Sequence, residues 1–251
     1  MPAKTDVIKT AGRIFEVLEY FDEQRRPLGL VELVERFGYP QSSMAALLKS
    51  LVVLGYLHHD RGARNYVPTS KLAVLGKWAD ALLLDSPEVV AAVSELGQQV
   101  SETVVLGIRN DLMAQYVYVR LAPRPLVYHN SAGALRPLCS SGVGWAILST
   151  MKDEAVRKIV RRHNAADENA SNRIDVPELL KTVQAARKNG YAFSKSAFSP
   201  GVGMIAMPLP RRAGERLMTV GVGGPVERLV AAERPIVDQM RSVVRKYFGS
   251  L

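Results

Sequence analysis

Cysteine is nearly absent: Cys139 stands alone in 251 residues. That excludes an internal disulfide and a cysteine-built zinc site, and a lone thiol suits a reducing compartment, so a cytoplasmic location is expected. Histidine is scarce too. His58, His59, His129 and His163 do not stand at metal-ligand spacing with carboxylates on a helix face, so no metal and no other cofactor is expected. No apolar run approaches the ~20 residues that span a bilayer. The opening Met1-Pro2-Ala3-Lys4-Thr5-Asp6 has no apolar stretch behind its charge, so neither a signal peptide nor a membrane partner is expected. The Gly-x-Ser-x-Gly elbow of a serine hydrolase is also missing.

The composition that remains is globular. Hydrophobic residues make up 47% and charged residues 23%, which excludes a disordered chain, and the length suits one large domain or two modest ones. The net charge is +9, but it is unevenly placed. Residues 1–85 hold 11 Lys and Arg against 10 Asp and Glu, and residues 86–251 hold 22 against 14. The excess therefore lies in the C-terminal two-thirds, where bulk charge points only weakly to an acidic partner.

Periodicity divides the chain. Val7, Ile8, Ala11, Ile14, Phe15, Leu18 and Phe21 predict a helix over 6–22. Leu30, Leu33 and Val34 mark a second, closed by Phe37-Gly38-Tyr39-Pro40. A third opens near Gln41-Ser42-Ser43, where a serine is expected to cap it, and carries Met44, Leu47, Leu48, Leu51 and Val52 to Gly55. Two short strands follow, joined by the basic turn Arg61-Gly62-Ala63-Arg64. Helices are predicted over 69–85 and 87–100. Then the pattern turns mixed: strands at 103–108, 114–119, 126–129, 191–194, 204–209 and 217–223, helices at 142–151, 153–163 and 176–189, and one long helix over 225–248. Hairpins with helices in mixed order predict an antiparallel-rich α/β domain, so the chain as a whole is expected to be α+β with two domains.

Three helices and a hairpin within about 65 residues outline a winged helix-turn-helix. Its third helix can enter a major groove and its hairpin can lie along the backbone or minor groove. The candidate DNA contacts are Gln41, Ser42, Ser43, Ala45 and Lys49 on the third helix, Arg61 and Arg64 on the wing, and Lys9 and Arg13 on the first helix. The competing reading is a small three-helix cap that uses the same apolar stripes for its own core.

The ordered set Leu30-Val31-Glu32-Leu33, Gly38-Tyr39-Pro40-Gln41-Ser42-Ser43, Leu54-Gly55-Tyr56-Leu57, Gly133, Pro137-Leu138, Gly142-Val143-Gly144, Gly190-Tyr191, Gly201-Val202 and Gly224-Pro225 resembles the IclR family of bacterial transcriptional regulators. The resemblance covers residues 7–249. It implies a winged helix-turn-helix at 1–68, a linker helix at 69–86 and a GAF-like α/β effector-binding domain at 87–251. It also implies operator DNA as partner, assembly as a homodimer or a dimer of dimers, and a small organic-acid effector that controls operator affinity. The outcome is expected to be repression, and no enzyme activity is expected. The implied effector residues are Tyr128, Cys139, Ser140, Ser141, Gly142, Val143, Ser194, Val202, Met204, Gly221 and Gly223.

Departures from the family pattern carry information. The middle of the third helix has Met44-Ala45-Ala46 where a basic residue is common, and an alanine can contact only a thymine methyl. Gly144-Trp145 replaces a Gly-Lys pair. Glycines at 221 and 223 stand where some relatives place polar anchors, which predicts a larger, less polar pocket and an aromatic or longer aliphatic carboxylate.

Other features have plainer readings. The glycine-rich stretches at 142–144, 201–203 and 221–224 lack the full dinucleotide pattern, so strand-end turns are expected. Arg136 could pair with an effector carboxylate if it points inward, but a solvated arginine beside Pro137 is the favoured reading. Tyr116 and Tyr118, two apart on a strand, are expected to share one face. The alternatives in function are a ligand sensor with a degenerate helix-turn-helix, and a small α/β hydrolase.

Overall fold

In a computed structural model the described residues are 8–76, 87–123, 131–166, 173–210 and 216–249. They fall into two compact units, one within residues 8–76 and one within 87–249.

The first unit contains α1 (Lys9–Gln24), β1 (Leu28–Gly29), α2 (Leu30–Phe37), α3 (Gln41–Val53), β2 (Leu57–Asp60), β3 (Asn65–Pro68) and α4, described over residues 71–76. The remainder of the helix expected at 69–86 lies outside the described residues. Val17 and Phe21 of α1, Leu33 of α2, and Met44, Leu48 and Leu51 of α3 form the core, closed by Leu28 and Leu57. Sequence periodicity missed β1, because two residues are too few to show a period of two. Leu28 and Gly29 pair antiparallel with Tyr66 and Asn65, giving a sheet of order β1-β3-β2.

The expected serine cap is corrected. Pro40 is the N-cap of α3 and its carbonyl accepts the Met44 amide at 3.0 Å, while no side chain caps the helix. The chain has already entered the helix by Gln41, so Ser42 and Ser43 sit in its first turn. At the other end, the Thr69 hydroxyl donates to the Gly55 carbonyl at 2.6 Å and the Lys71 ammonium donates to the Leu54 carbonyl at 2.7 Å. The start of α4 is thereby fixed to the end of α3, with a cation on the negative end of the helix dipole.

The second unit contains α5 (Pro87–Val100), β4 (Thr103–Asn110), β5 (Met113–Arg120), β6 (Leu135–Pro137), a 3₁₀ turn (Leu138–Ser140), α6 (Gly142–Ser149), α7 (Asp153–Ala166), α8 (Val176–Asn189), β7 (Ala192–Lys195), β8 (Val202–Pro208), β9 (Met218–Pro225), α9 (Val226–Ala231) and α10 (Glu233–Phe248). The six strands form one antiparallel sheet of order β6-β5-β4-β9-β8-β7. The strand expected at 126–129 lies outside the described residues, and β6 was not foreseen. The long C-terminal helix is two. Pro235 donates no amide and its ring opposes the carbonyl of Ala231 four residues back, so the helix ends there and restarts after Ala232.

Alternation along the strands feeds two cores. Val105, Tyr116, Met204 and Ala206 pack with Val143, Ile147, Val160 and Val183 under α6, α7 and α8. Leu106 and Val220 turn the other way, toward Val93 and Leu96 of α5 and Val243 and Val244 of α10. A β-bulge breaks the period once. Tyr116 pairs with Gly107 and Tyr118 with Leu106, which leaves Val117 as the extra residue. Tyr116 and Tyr118 therefore lie on opposite faces, contrary to the period-two expectation.

Gly221 and Gly223 are interior to β9, which corrects their reading as strand-end turns. Glycine at several positions lets α6 lie directly on its neighbours. A Cβ on Gly144 would fall 2.3 Å from the Leu138 carbonyl oxygen, and one on Gly107 would fall 2.5 Å from a Val143 methyl. The second contact is with a side chain end; the first is with backbone that has no room to give. Gly144→Ala is expected to cost about 3 kcal/mol by overpacking, read as a melting temperature lower by several degrees in a calorimetric scan.

Candidate nucleic-acid interface and effector pocket

The outer surface of α3 begins with Gln41, Ser42 and Ser43, all exposed. Because no side chain caps the helix, its first-turn amides are oriented outward at the positive end of the dipole, the arrangement that suits a phosphate. Lys49 is exposed one turn and a half further on. Ala45 is half-buried and Ala46 is exposed, so the outward face runs Ser42, Ala46, Lys49 and Val53. The alanine on that face is one residue later than the sequence pattern placed it.

Arg13 of α1 borders α3. Its guanidinium carbon lies 4.3 Å from the centre of the Tyr39 ring, and the Tyr39 hydroxyl donates to Glu16. That hydrogen bond holds the Tyr39 phenol above its ordinary pKa. Arg13, Thr10 and Tyr39 share an open crevice of about 310 Å³ with Ser43, Ala46 and Ser50 of α3. Lys9 is exposed one turn earlier on the same helix.

The wing is shaped by one carboxylate. Asp60 accepts the amides of Gly62 at 2.8 Å and Ala63 at 3.0 Å. The left-handed position of the turn falls on Arg64, at φ 54°, rather than on Gly62. Arg61 and Arg64 are both exposed at the tip. The amides of Ala63 and Gly62, with smaller help from His58 and His59, hold the Asp60 carboxyl below its ordinary range. A depressed carboxyl stabilises the folded turn fully above the unfolded value of ~3.9, and that contribution is lost as pH falls through the lower folded value.

In the second unit, one cavity gathers Tyr116, Arg136, Ser141 and Gly142 with Ser194, Phe198, Ser199, Val202, Gly203 and Met204. Five residues of the expected effector set line it: Ser141, Gly142, Ser194, Val202 and Met204. The others lie elsewhere. Cys139 is buried within the 3₁₀ turn, and burial pushes its thiol up to about 12, so it is unreactive at neutral pH. Ser140 is half-buried beside it. Val143 nests against Gly107 and Gly221. Gly223 is paired within the sheet to Thr103 and Met204. Tyr128 lies outside the described residues.

Two expectations are corrected here. The space at Gly221 does not enlarge the cavity, because the Met204 sulfur and the Val143 and Val105 methyl groups fill it; a Cβ there would lie 2.8 Å from the sulfur. Arg136 is not a solvated arginine: it is half-buried and lines the cavity. The Ser141 hydroxyl is committed to structure, since it donates to the Pro137 carbonyl at 2.7 Å and accepts the Gly144 amide at 3.1 Å as the cap of α6. Trp145 donates its indole N–H to the Cys139 carbonyl at 2.8 Å and packs on the core, away from the cavity. Sequence reasoning did not assign Phe198, Ser199 or Gly203 to the site. Phe198 stands in a polar loop, and no periodic pattern marks it.

Among the described residues no cluster of His, Cys, Asp and Glu could hold a metal ion, and no helix is long and apolar enough to cross a membrane. Residues 88–247 match the model of the family described as bacterial transcriptional regulator IclR C-terminal, and residues 10–61 match the IclR helix-turn-helix domain. The chain belongs to the IclR family of bacterial transcriptional regulators. IclR-family regulators join a helix-turn-helix reader to a C-terminal effector-binding domain, and that is the organisation of this chain. It is 24% identical over 249 residues to the HTH-type transcriptional regulator KdgR of Dickeya chrysanthemi, covering 94% of this chain and 81% of that one. It is 24% identical over 227 residues to the HTH-type transcriptional repressor AllR of Escherichia coli strain K12, covering 85% and 79%. The crystal structure of the Thermotoga maritima IclR superposes with a TM-score of 0.72 at 17% identity, covering 96% of this chain and 99% of that one. At that identity the likeness shows the fold alone.

The Asp60 contacts generate a test. Asp60→Ala is expected to speed hydrogen exchange at the Gly62 and Ala63 amides at neutral pH, measured by NMR. In the unsubstituted protein the same protection is expected to fade below about pH 4.

Proposed function

We propose that this chain is a ligand-responsive repressor that binds an operator as a homodimer or a dimer of dimers in the cytoplasm. Residues 1–68 serve as the reader, 69–86 as the linker helix and 87–251 as the effector domain. The observation that carries the reading is the open first turn of α3, with Gln41, Ser42 and Ser43 exposed and no side chain on its amides. Gln41, Ser42 and Ser43 contact base edges and a phosphate at the helix start, and Lys49 reaches the backbone further along. Lys9 and Arg13 take a flanking phosphate. Arg61 and Arg64 hold the wing against the duplex. An arginine in the left-handed region costs roughly 1–2 kcal/mol of backbone strain, and its exposed position leaves contact with a partner as the gain. The likeness to AllR, a transcriptional repressor, supports repression.

The effector is a small organic acid that binds in the cavity lined by Ser194, Val202 and Met204. It acts by favouring one arrangement of the paired readers over another, so that operator affinity changes with effector concentration. A second reading keeps the effector domain but gives it a protein partner. Ala46, at the centre of the outward face of α3, offers no hydrogen bond to a base, and this observation favours a weak reader.

The test uses an operator recovered from sheared genomic DNA by retention on the full-length protein. Ser42→Ala with Arg64→Ala is expected to weaken operator affinity at least tenfold. It is also expected to reduce the slope of log affinity against log salt by about 0.9 for each phosphate the variant no longer neutralises. Unchanged affinity and slope would overturn the contact assignment.

A further inference from the structure

The charge excess of the C-terminal two-thirds, 22 Lys and Arg against 14 Asp and Glu, is densest on α7. Residues 157–162 read Arg-Lys-Ile-Val-Arg-Arg, four cations in six positions. Val156, Ile159 and Val160 turn the helix inward. With about 3.6 residues per turn, Lys158 and Arg161 then stand on its crest, with Arg157 and Arg162 on its flanks. All four are exposed. Contacts identify the flanks. Asp153, on the side of Arg157, accepts from Gln184 and Arg187 of α8 at 2.8 and 3.1 Å. Arg162 turns the other way and donates to both carboxylate oxygens of Asp111, in the β4–β5 turn, at 2.8 and 2.9 Å.

Little inside the chain answers this charge. Asp111 neutralises Arg162. Glu154 reaches Lys158 only at 3.4 Å, with both side chains largely in solvent, a pair that contributes little. Among the described residues Arg157 and Arg161 form no hydrogen bond or salt bridge, although Arg157 acts at longer range on Asp153. The spacing adds a cost. Arg157 with Arg161, and Lys158 with Arg162, stand four residues apart, where like charges destabilise a helix. The helix dipole relieves this only in the last turn, which begins after all four.

A face that works against its own helix suits an anion from outside, and its composition says which kind. A protein interface draws its energy from aromatic and large apolar anchors, in a core depleted of lysine. Among the described residues no large hydrophobic of α7 or α8 is exposed, and the apolar side chains at the surface of α7 are alanines, at 155, 165 and 166. A phosphate backbone asks only for cations. The reader has few to spare, since residues 1–85 hold 11 cations against 10 acids.

We infer that Arg157, Lys158 and Arg161 of α7 form a second, sequence-independent contact for duplex DNA, made by the effector unit with phosphates outside the operator. This rests on the operator-binding reading proposed above and adds a surface to it. A reader seated on its operator holds the flanking duplex at high effective concentration for such a contact. The α7 face therefore acts on affinity and on salt dependence without reading sequence.

The experiment compares two duplexes on the full-length protein: the recovered operator alone, and the operator extended on each side by about two helical turns of unrelated sequence. Extension is expected to tighten binding about tenfold at low salt and to steepen the slope of log affinity against log salt. In the triple variant Arg157→Gln, Lys158→Gln, Arg161→Gln the gain is expected to vanish. Its slope on the long duplex is expected to fall by about 0.9 for each phosphate released, with the short operator bound as before. Arg161→Gln alone is expected to lower that slope by about 0.9, which keeps the test open if the triple variant unfolds. Arg157→Lys with Arg161→Lys is expected to keep the gain, because a phosphate accepts a point charge. The melting temperature of the triple variant is expected to hold or rise as repulsion is relieved. No gain on extension, or an equal gain and slope in the triple variant and the unsubstituted protein, would overturn the inference and leave operator binding standing. Capture of polyglutamate but not of flanking duplex through these cations would also overturn it, making the partner an acidic protein. Retention of unrelated duplex that depends on the three cations, with no preference for any operator, supports the surface and overturns the regulator reading.

Discussion

The contact on which the second unit depends is the seat of α6 against backbone. Gly144 touches Leu138, Gly142 touches Met204 and Ser194, and Val143 fits between Gly107 and Gly221. Backbone cannot move aside as a side chain tip can, so the position of α6 is closely fixed. That position sets the rest. It brings Ser141 to the cap of α6 and places Ile147 over the sheet. It also forms the rear wall of the cavity. The opposite face of the sheet is held less by close approach than by ordinary apolar packing of α5 and α10, and by the ion pair in which Arg228 donates to Glu102 at 2.7 and 2.8 Å.

The first unit is built on another plan. Its core draws one stripe of α3 inward and leaves the other with no structural task. The second stripe is free to carry Gln41, Ser42, Ser43 and Lys49. Elsewhere, small polar contacts locate the surface. Tyr39 is held by Glu16 and carries Arg13 on its ring, and Asp60 draws in the wing turn. These contacts are exposed or half-exposed, and each contributes modestly to stability. Their work is to place cations.

Much of this architecture was legible in the residues. Met44, Leu48 and Leu51 announce α3 at helical spacing. The Gly38-Tyr39-Pro40 break and the Arg61–Arg64 turn mark the start of α3 and the tip of the wing. What sequence could not show follows from how side chains meet across space. One extra residue at Val117 turned Tyr116 and Tyr118 apart, and a bulge leaves no mark in hydropathy. Pro235 in the C-terminal run was visible, but its clash with the Ala231 carbonyl divides the helix only once the register is known. In the wing turn the left-handed position falls on Arg64, next to the amides that Asp60 holds, and nothing in hydropathy marks it. In the cavity, the expected set meets the lining where it followed the segments at Ser141, Ser194 and Met204. It failed at Gly221, whose missing side chain is replaced by the sulfur of Met204. Arg136 looked solvated because its neighbour in sequence is a proline, whereas its neighbours in space are Tyr116 and Phe198.

The rigidity of α6 has a consequence for how such a sensor diversifies. A wall made of backbone in contact with backbone tolerates almost no substitution. The walls contributed by β6 and the loop after β7 are side chains on an edge strand and a surface turn, and exchanging Arg136, Phe198 or Ser199 disturbs no buried backbone. The cavity is thus divided by geometry: one half is fixed by the fold, and the other half can change without disturbing it.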